Sequence, residues 1–307
     1  MAVNDIEEVK RFRDWVREID WVGSIPFILM HASCLAVFWV GVTPAAFAIF
    51  ILTLGVRIFG ITGGYHRYFS HRSFETSRFF QFILGFLGAS STQMGPLWWA
   101  AHHRHHHRHS DKEPDIHSPI IDTFLWSHFG WVMAKKSHEE NPYDKVPDLA
   151  KYPELRWLNQ YYVVAGLFFL LFVSALGFFV QSALPSWKTS ALQVIVWGFF
   201  ISTVVLYHVT FSINSLSHVW GSRRYETNDD SRNNFFLALL TMGEGWHNNH
   251  HKHCGTAKMG FFWWEVDVTY YILKMLSFTG IIWDLKRPPE KAYDPETFLN
   301  KTMSNKS

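Results

Sequence analysis

Four long apolar stretches constrain this chain more than any other feature of its sequence. They cover residues 23–41, 45–64, 158–184 and 190–213, and each is close to the roughly 20 residues that a helix needs to cross about 30 Å of hydrocarbon. Short turns, Val42-Thr43-Pro44 and Pro185-Ser186-Trp187-Lys188, join them in pairs. Because a helix satisfies its own backbone hydrogen bonds, it suits a membrane interior. The pattern predicts an all-α integral membrane protein with four transmembrane helices in two hairpins, residues 23–64 and 158–213, in a lipid bilayer.

The polar stretches 65–157 and 214–289 are expected to form a helical cap on one face of that membrane. Cationic residues precede the first hairpin (Lys10, Arg11, Arg13 and Arg17) and are frequent from 67 to 156, whereas the two short turns hold only Lys188. By the positive-inside rule, the cap and both ends of the chain are predicted to be cytoplasmic. Residues 1–22 are interpreted as an amphipathic lead-in and 290–307 as a frayed tail, so that 1–307 is one domain.

Two further apolar stretches lie within the cap. If residues 79–87 crossed the bilayer, the polar segments on their two sides would face opposite surfaces, so we expect this stretch to lie in the interface or to fold back. Residues 266–283 carry Asp267 and Lys274, and are predicted to form an amphipathic helix that covers the cap or lies on the membrane.

Histidines gather in four places just beyond the predicted spans. Residues 98–110 contain six histidines among thirteen residues, and the other three groups are His66 with His71, Asn214 with His218, and the run His247-Asn248-Asn249-His250-His251. Neutral imidazole is polar and needs a partner when it is buried, and it is the commonest metal ligand in proteins. These clusters predict a metal centre in the cap.

Two helical stripes compete within the densest cluster. His103, His106 and His107 share one helix face at positions i, i+3 and i+4, and His102, His105 and His109 form a second stripe on another face. Their spacing alone leaves open which stripe binds metal.

In combination, the four clusters and the flanking Gly243-Glu244-Gly245-Trp246 resemble the membrane fatty acyl desaturase family, of the stearoyl-CoA Δ9-desaturase type. The resemblance extends from about residue 55 to 289. It implies two iron ions held by nine histidines, with an asparagine that acts through water. The implied ligands are His66, His71, His103, His106, His107, His218, His247, His250 and His251, with Asn214 in the water-mediated place. The stripe of His102, His105 and His109 is then left to orienting or surface roles.

The same resemblance implies an O2-dependent fatty acyl desaturase that introduces a cis double bond, of Δ9 position, into a saturated chain. Acid–base groups alone cannot break an unactivated C–H bond, whereas a metal that activates O2 can. The sequence has no flavin, haem or iron–sulfur motif, so two electrons must come from an external donor such as a ferredoxin, a rubredoxin or a cytochrome b5-like protein. The net charge of +2 gives no indication of a nucleic-acid partner.

Acidic residues near the clusters are expected to accept the outer ring N–H of ligand histidines. The candidates are Asp111, Asp115, Asp229, Asp230 and Glu244. Glu244 is preferred because it lies three residues before His247, and the other four are interpreted as solvated charges.

The acyl chain needs an apolar tunnel, and core packing is the safer interpretation for any single aromatic residue near the clusters. Seven aromatic residues are candidates to line the tunnel: Trp98, Trp99, Phe129, Trp131, Trp246, Phe261 and Phe262. Ala101 and His102 stand where acyl-CoA members of the family in animals have a basic and an acidic residue. Acyl-CoA, acyl-lipid and acyl-carrier-protein substrates therefore all stay open.

The remaining features receive plainer interpretations. His31, His117, His128, His138, His208 and His253 are taken as structural, and Arg57 is expected to snorkel toward a head group or to pair with an acid. Two other functions stay open: a related hydroxylase or alkane monooxygenase, and a histidine-rich metal transporter. A transporter should place its ligands within its spans, whereas these clusters fall just beyond them.

Overall fold

The computed structural model describes residues 15–135 and 141–299, and this part of the chain is mainly helical. Among the described residues, three helices are long and apolar enough to cross a membrane: Pro44–Ser70, Val163–Ala183 and Ala191–Val219. They coincide with three of the four predicted spans. His138 and residues 1–14, the start of the expected lead-in, lie outside the described residues.

The first predicted span forms a shorter apolar helix, Ile25–Val40. A 3-10 turn at Cys34–Ala36 separates Ile25–Ser33 from Val37–Val40. Gly41 ends it with a φ of 64°, a conformation that favours glycine. The Thr43 side chain then accepts a hydrogen bond from the Ala46 amide and starts the next helix. Helix Ile25–Val40 is shorter than the three long ones, which have 27, 21 and 29 residues. A fourth span therefore stays a prediction.

The second span runs without a break into the first histidine pair. An α-helical part, Pro44–Phe59, continues as a π-helix, Gly60–Ser70, which carries His66 beyond the apolar run. Glycines let a neighbouring helix, Arg78–Ala89, approach closely: a Cβ at Gly60 would lie 2.8 Å from the Leu87 carbonyl carbon. Helix Arg78–Ala89 has 12 residues, about 18 Å at 1.5 Å per residue, which is too short to cross the hydrocarbon core.

The last span places ligand candidates at its end. It combines Ala191–Ile195, a π-helical turn at Val196–Ile201, and Ser202–Val219. A capping box between Ser190 and Gln193 starts it. The helix continues past the predicted end at residue 213, so Asn214 and His218 occupy its last turns.

The expectation that Arg57 snorkels toward a head group or pairs with an acid is wrong. The residue is fully buried, and its Nη1 donates to Thr203 Oγ1 at 2.7 Å. Its Nη2 contacts the Ser202 hydroxyl, and its guanidinium lies 4.5 Å from the centre of the Phe169 ring. Within the described part of the chain, Arg57 therefore joins three apolar helices through hydroxyl groups and an aromatic face, with no carboxylate.

The cap is built from short elements around helix Pro96–His109. Its other α-helices are Phe124–His128, Pro147–Ala150, Pro153–Gln160, Phe235–Leu240, His247–Lys252 and Val268–Phe278. Its 3-10 turns are Gly130–Met133, Pro142–Asp144, Glu290–Tyr293 and Pro295–Thr297, and a further one, Pro185–Trp187, joins the last two spans. Strands Glu75–Thr76 and Ile282–Trp283 pair antiparallel, with Glu75 opposite Trp283.

The largest hydrophobic core lies where the histidine-bearing elements meet. It joins side chains of the π-helix, such as Tyr65 and Phe69, to Leu84, Leu97 and Leu155 from three neighbouring helices. The expected frayed tail is also part of the packed structure up to residue 299, because Ala292 is buried and its carbonyl accepts a hydrogen bond from the Tyr225 hydroxyl at 2.5 Å. This packing holds the histidine-bearing helices in one arrangement.

Candidate metal centre

All nine histidines implied by the family resemblance come together in two adjacent clusters. In each cluster the potential ligand atoms lie within 4.8 Å of one another. Cluster A contains His66, His71, His103, His107 and His250. Cluster B contains His106, His218, His247 and His251.

Distant parts of the chain supply cluster A. His66 comes from the π-helix, His71 directly follows it, His103 and His107 lie one turn apart on helix Pro96–His109, and His250 comes from His247–Lys252. The ring nitrogens face each other: Nε2 to Nε2 is 3.0 Å for His66 and His250, 2.8 Å for His71 and His103, and 2.9 Å for His107 and His250. Each neutral imidazole has one N–H, so a ring of converging Nε2 atoms leaves lone pairs pointing at a common centre.

These distances fit metal coordination. With metal–nitrogen bonds of about 2.1 Å, two ligands at right angles lie about 3.0 Å apart. In cluster B, His218 Nε2 and His247 Nε2 are 3.1 Å apart. His251 Nε2 is buried and makes no hydrogen bond within the described residues. The donor sets therefore fit two metal ions, five imidazoles for one and four for the other.

Carboxylates hold the outer nitrogens of four of these rings. His106 Nδ1 lies 3.0 Å from Asp115 Oδ2, His218 Nδ1 lies 2.8 Å from Asp111 Oδ2, and His251 Nδ1 lies 2.6 Å from Asp229 Oδ2. Because the acid accepts the Nδ1 proton, Nε2 is left as the inward-facing lone pair.

Glu244 contacts His66 Nδ1 in the same way, so it serves a ligand histidine as expected, although that histidine is His66 and not the nearby His247. The interpretation of Asp111, Asp115 and Asp229 as solvated charges is wrong, because they orient ligand candidates. Asp230 alone differs among the five acids: its side chain is 3.5 Å from Arg223 Nη1 and contacts none of the cluster histidines.

Burial and the neighbouring charges set the protonation of the site. Burial, followed by the neighbouring imidazoles, lowers the pKa of His103, His107 and His250 well below the usual value. Burial also lowers the pKa of His251 to about 4, although Asp229 opposes it. Burial alone would raise the pKa of Asp111, but the hydrogen bond and charge of His218, with the hydrogen bonds from Ser118 and the Asp230 amide, together lower it to about 2. Burial therefore favours the neutral form of these four imidazoles, which is the form that binds a metal. His106 differs: burial alone would lower its pKa, but the carboxylates around it, Asp115 above all, together raise it.

A buried ionic group supports cluster A from behind. Arg67 donates through Nη2 to Glu244 Oε1 at 2.9 Å and lies as close to Asp267 Oδ1. Its Nη1 donates to the Ala257 carbonyl at 2.7 Å. Glu244 is thus shared between His66 and Arg67. No role for Arg67 or Asp267 at this site was predicted from the sequence, although the position of Arg67 directly after a ligand candidate was a signal.

The two asparagines between His247 and His250 lock their helix in place. The Asn248 side-chain oxygen accepts from the backbone amides of Arg224 and Tyr225 at 2.8 and 2.7 Å. Asn249 accepts from Asn233 Nδ2 at 2.7 Å and donates to the Met259 carbonyl at 2.9 Å. Both are fully buried, so the polar residues of this motif are anchors in the fold.

The competing stripe points elsewhere. The His102 ring stacks on Trp98 at 4.0 Å, and its Nδ1 bonds to the Trp98 carbonyl at 2.9 Å. His105 Nε2 bonds to the Pro114 carbonyl at 3.2 Å, and the His109 ring lies beside it.

Among the histidines taken as structural, His117 is buried beside cluster B, 3.5 Å from Asp115. His31, His208 and His128 form a chain: His31 Nε2 is 3.2 Å from His208 Nε2, and His208 Nδ1 is 3.0 Å from His128 Nε2. His253 packs its ring against Tyr225.

Two cavities adjoin the clusters. A large one of about 720 Å³ reaches His103 and Asn214, and its size is typical of a ligand site. A small one of about 30 Å³ reaches residues of both clusters, among them His66 and His247. Trp99, His103, Thr210 and Asn214 line both cavities. Asn214 therefore stands between the large cavity and the clusters.

Three of the seven aromatic candidates line the large cavity: Trp98, Trp99 and Trp131. The other four pack elsewhere. Trp246 belongs to a small hydrophobic cluster with Ala238 and Met259, Phe261 contacts Tyr225, and Phe262 packs against that pair. Phe129 meets Trp15 edge to face.

Comparison with known proteins adds an independent line of evidence. Residues 42–271 match the family model of the fatty acid desaturases. The sn-1 stearoyl-lipid 9-desaturase of Synechocystis sp. is 36% identical over 89% of this chain and 82% of its own length. The chloroplastic palmitoyl-monogalactosyldiacylglycerol delta-7 desaturase of Arabidopsis thaliana is 35% identical, over 91% and 71%. The acyl-CoA C20 Delta5-desaturase of Anemone leveillei is 32% identical, over 93% and 88%.

Proposed function

The chain belongs to the fatty acid desaturase family and is an oxidoreductase, and from that premise we propose that it is a di-iron, O2-dependent Δ9 desaturase of saturated acyl chains. The observation that carries the proposal is the convergence of nine imidazoles in two clusters beside a cavity of about 720 Å³. Its relatives include an sn-1 stearoyl-lipid 9-desaturase, which supports the Δ9 position.

In this proposal, cluster A and cluster B each hold one iron ion, and Asn214 acts through water. Bound iron would supply the O2 activation that breaking an unactivated C–H bond requires. The carboxylates of Asp111, Asp115, Asp229 and Glu244 keep the Nδ1 proton on four rings and so direct Nε2 inward. Burial of the clusters excludes bulk water from the place where the acyl chain reacts.

The reaction removes one hydrogen from each of two adjacent methylene groups and leaves a cis double bond. Those two hydrogens, O2, two electrons and two protons together give two waters. The electrons come from a soluble or membrane-bound donor such as a ferredoxin, a rubredoxin or a cytochrome b5-like protein. The cationic side chains of the cap suit an acidic donor.

The test is expression in a host that lacks its own desaturase, followed by gas chromatography–mass spectrometry of the fatty acids with chemical location of the double bonds. The expected product is a cis-9 monoene. The control is His250→Ala, whose loss of product is informative only if its thermal unfolding matches the wild type. A monoene with the bond elsewhere contradicts Δ9, hydroxylated chains support the hydroxylase alternative, and an unchanged profile contradicts the enzyme proposal.

We also propose that the cap and both ends of the chain face the cytoplasm, as the positive-inside rule predicts. Cys254 is an exposed free thiol in the cap, and Ser186 lies in the turn between two spans. In intact cells of a Cys34→Ser variant, a membrane-impermeant maleimide should leave Cys254 unlabelled until the membrane is opened. The matched variant Ser186→Cys, with Cys254→Ser, should be labelled at once. The reverse pattern contradicts the orientation.

A further inference from the structure

We propose that the acyl substrate is carried by a membrane lipid and enters the cavity sideways from the bilayer, between helix Ile25–Ser33 and helix Val163–Ala183. The inference rests on the proposed function and adds the carrier and the route of entry.

The large cavity lies between membrane-buried elements. Its deep wall includes Met30, Leu170, Phe199 and Phe200, which all belong to apolar helices. Its other end reaches Trp99, His103 and Asn214 next to the clusters. A chain that fills this space therefore passes from the apolar layer to the candidate metal centre.

The mouth of the cavity can be located from side chains that both line it and are exposed. On helix Val163–Ala183 these are Val163, 51% exposed, and Leu167, 56% exposed. On the opposite side, Gly23 and Pro26 at the start of helix Ile25–Ser33 also line the cavity and are exposed. Both sets lie at the end of their helices nearest the cap. The gap between them therefore opens at the edge of the apolar layer, where the first carbons of lipid acyl chains lie.

The surface around this gap is continuous with the lipid-facing sides of the same helices. Ile28 and Leu29 are 44% and 59% exposed, and Phe168 is 59% exposed. Such an apolar surface is expected to be covered by lipid tails. An acyl chain that leaves the bilayer here stays in contact with apolar side chains along its whole path.

The charge of the lining also favours a lipid over a thioester of coenzyme A. Among the described residues that line the cavity, none is lysine or arginine, and Asp20 is an acid near the mouth. A polyphosphate carrier is usually held by cations with bidentate or point-charge contacts. Ser24, Gln93 and Tyr162 give this lining neutral polar groups instead.

One wall of the mouth is lightly packed. Helix Ile25–Ser33 has no buried residue, and the histidine chain of His31, His208 and His128 joins it to the last span and the cap. A helix without a buried residue can move aside with little loss of buried apolar surface, which suits a lateral entrance.

The route is tested by a substitution that narrows the mouth of the cavity. Leu167→Trp places a larger side chain at the mouth, and Leu192→Trp makes the same change at a site that is also 56% exposed but lies outside the cavity. We expect Leu167→Trp to lower lipid desaturation in cells about tenfold or more, because access limits turnover when an entrance is blocked. Iron content and thermal unfolding should match the wild type. Equal activity of the two variants, or equal loss in both, overturns the route.

The carrier is tested by labelling lipids before the enzyme is made. Cells of the desaturase-deficient host receive isotopically labelled stearate, the free label is removed, and expression is induced. Double bonds that appear in labelled chains already esterified to lipid support the inference. Double bonds confined to newly made, unlabelled chains identify a thioester carrier and overturn it, while the proposed function stands. No double bond in either pool overturns the proposed function, and this inference with it.

Discussion

The carboxylate of Glu244 gives the sharpest test of how the candidate metal centre is supported. It contacts His66 Nδ1 on one side and accepts from Arg67 Nη2 at 2.9 Å on the other. In Glu244→Gln, one amide atom must replace each oxygen. The amide N–H then faces either the N–H groups of Arg67 or the Nδ1–H of His66. Arg67 itself keeps Asp267 at 2.9 Å, so the main loss falls on the orientation of His66.

The expected loss of iron affinity in Glu244→Gln can be taken from what outer hydrogen-bond partners of metal-bound histidines generally contribute. Loss of such a partner typically lowers metal affinity about 10–100-fold, or about 1.4–2.8 kcal/mol. We expect Glu244→Gln to retain iron less well, by that factor, in competition with a chelator, measured by inductively coupled plasma mass spectrometry. Thermal unfolding of the metal-free protein serves to check the fold.

The matched control is Asp230→Asn, which removes an acid from the same part of the cap. The Asp230 side chain lies 3.5 Å from Arg223 and contacts none of the cluster histidines. The iron affinity of the Asp230→Asn protein should therefore stay within about twofold of the wild type. Equal affinities for Glu244→Gln and the wild type, or an equal loss in Asp230→Asn, would refute this account of the support.

Three further outcomes follow from the packing and the charges. Asn249→Asp should destabilise helix His247–Lys252 and release iron, because a carboxylate oxygen would face the Met259 carbonyl and Glu265 Oε2, which lie 2.9 and 3.0 Å from the present amide nitrogen. Iron analysis and thermal unfolding check this, and wild-type values for both would contradict it. Arg57→Met should leave the unfolding temperature in detergent unchanged or raise it, because a buried charge without a counter-ion is costly and the Ser202 and Thr203 hydroxyls also bond to helix carbonyls. A clear drop in that temperature would show that the hydrogen bonds of Arg57 outweigh its desolvation. The metal-free protein should lose stability as the pH falls below about 6.5, because burial lowers the pKa of His251 to about 4 in the folded chain and a proton therefore binds the unfolded chain more readily. Equal unfolding temperatures at pH 7.5 and pH 5 would contradict this.

Local patterns made much of the fold and the site predictable. Apolar runs of about 20 residues correspond to three long helices, and the end of helix Pro44–Ser70 carries His66 beyond the apolar run as the sequence indicated. The i, i+3, i+4 spacing placed His103, His106 and His107 on one face, although His106 serves a different cluster from the other two. Such features are visible in the sequence because helix periodicity depends on neighbours within a few residues.

What the sequence determined by itself is therefore the helical class of the protein, the family, and which imidazoles are available to a metal. Only the tertiary structure decided how those imidazoles divide between two clusters and which acids hold them. It also decided that Arg57 lies buried among hydroxyl groups, and where the cavity opens. The physical reason is distance along the chain: His66 meets His250, Asp111 meets His218, and Arg57 meets Thr203 only after helices far apart in sequence have packed together.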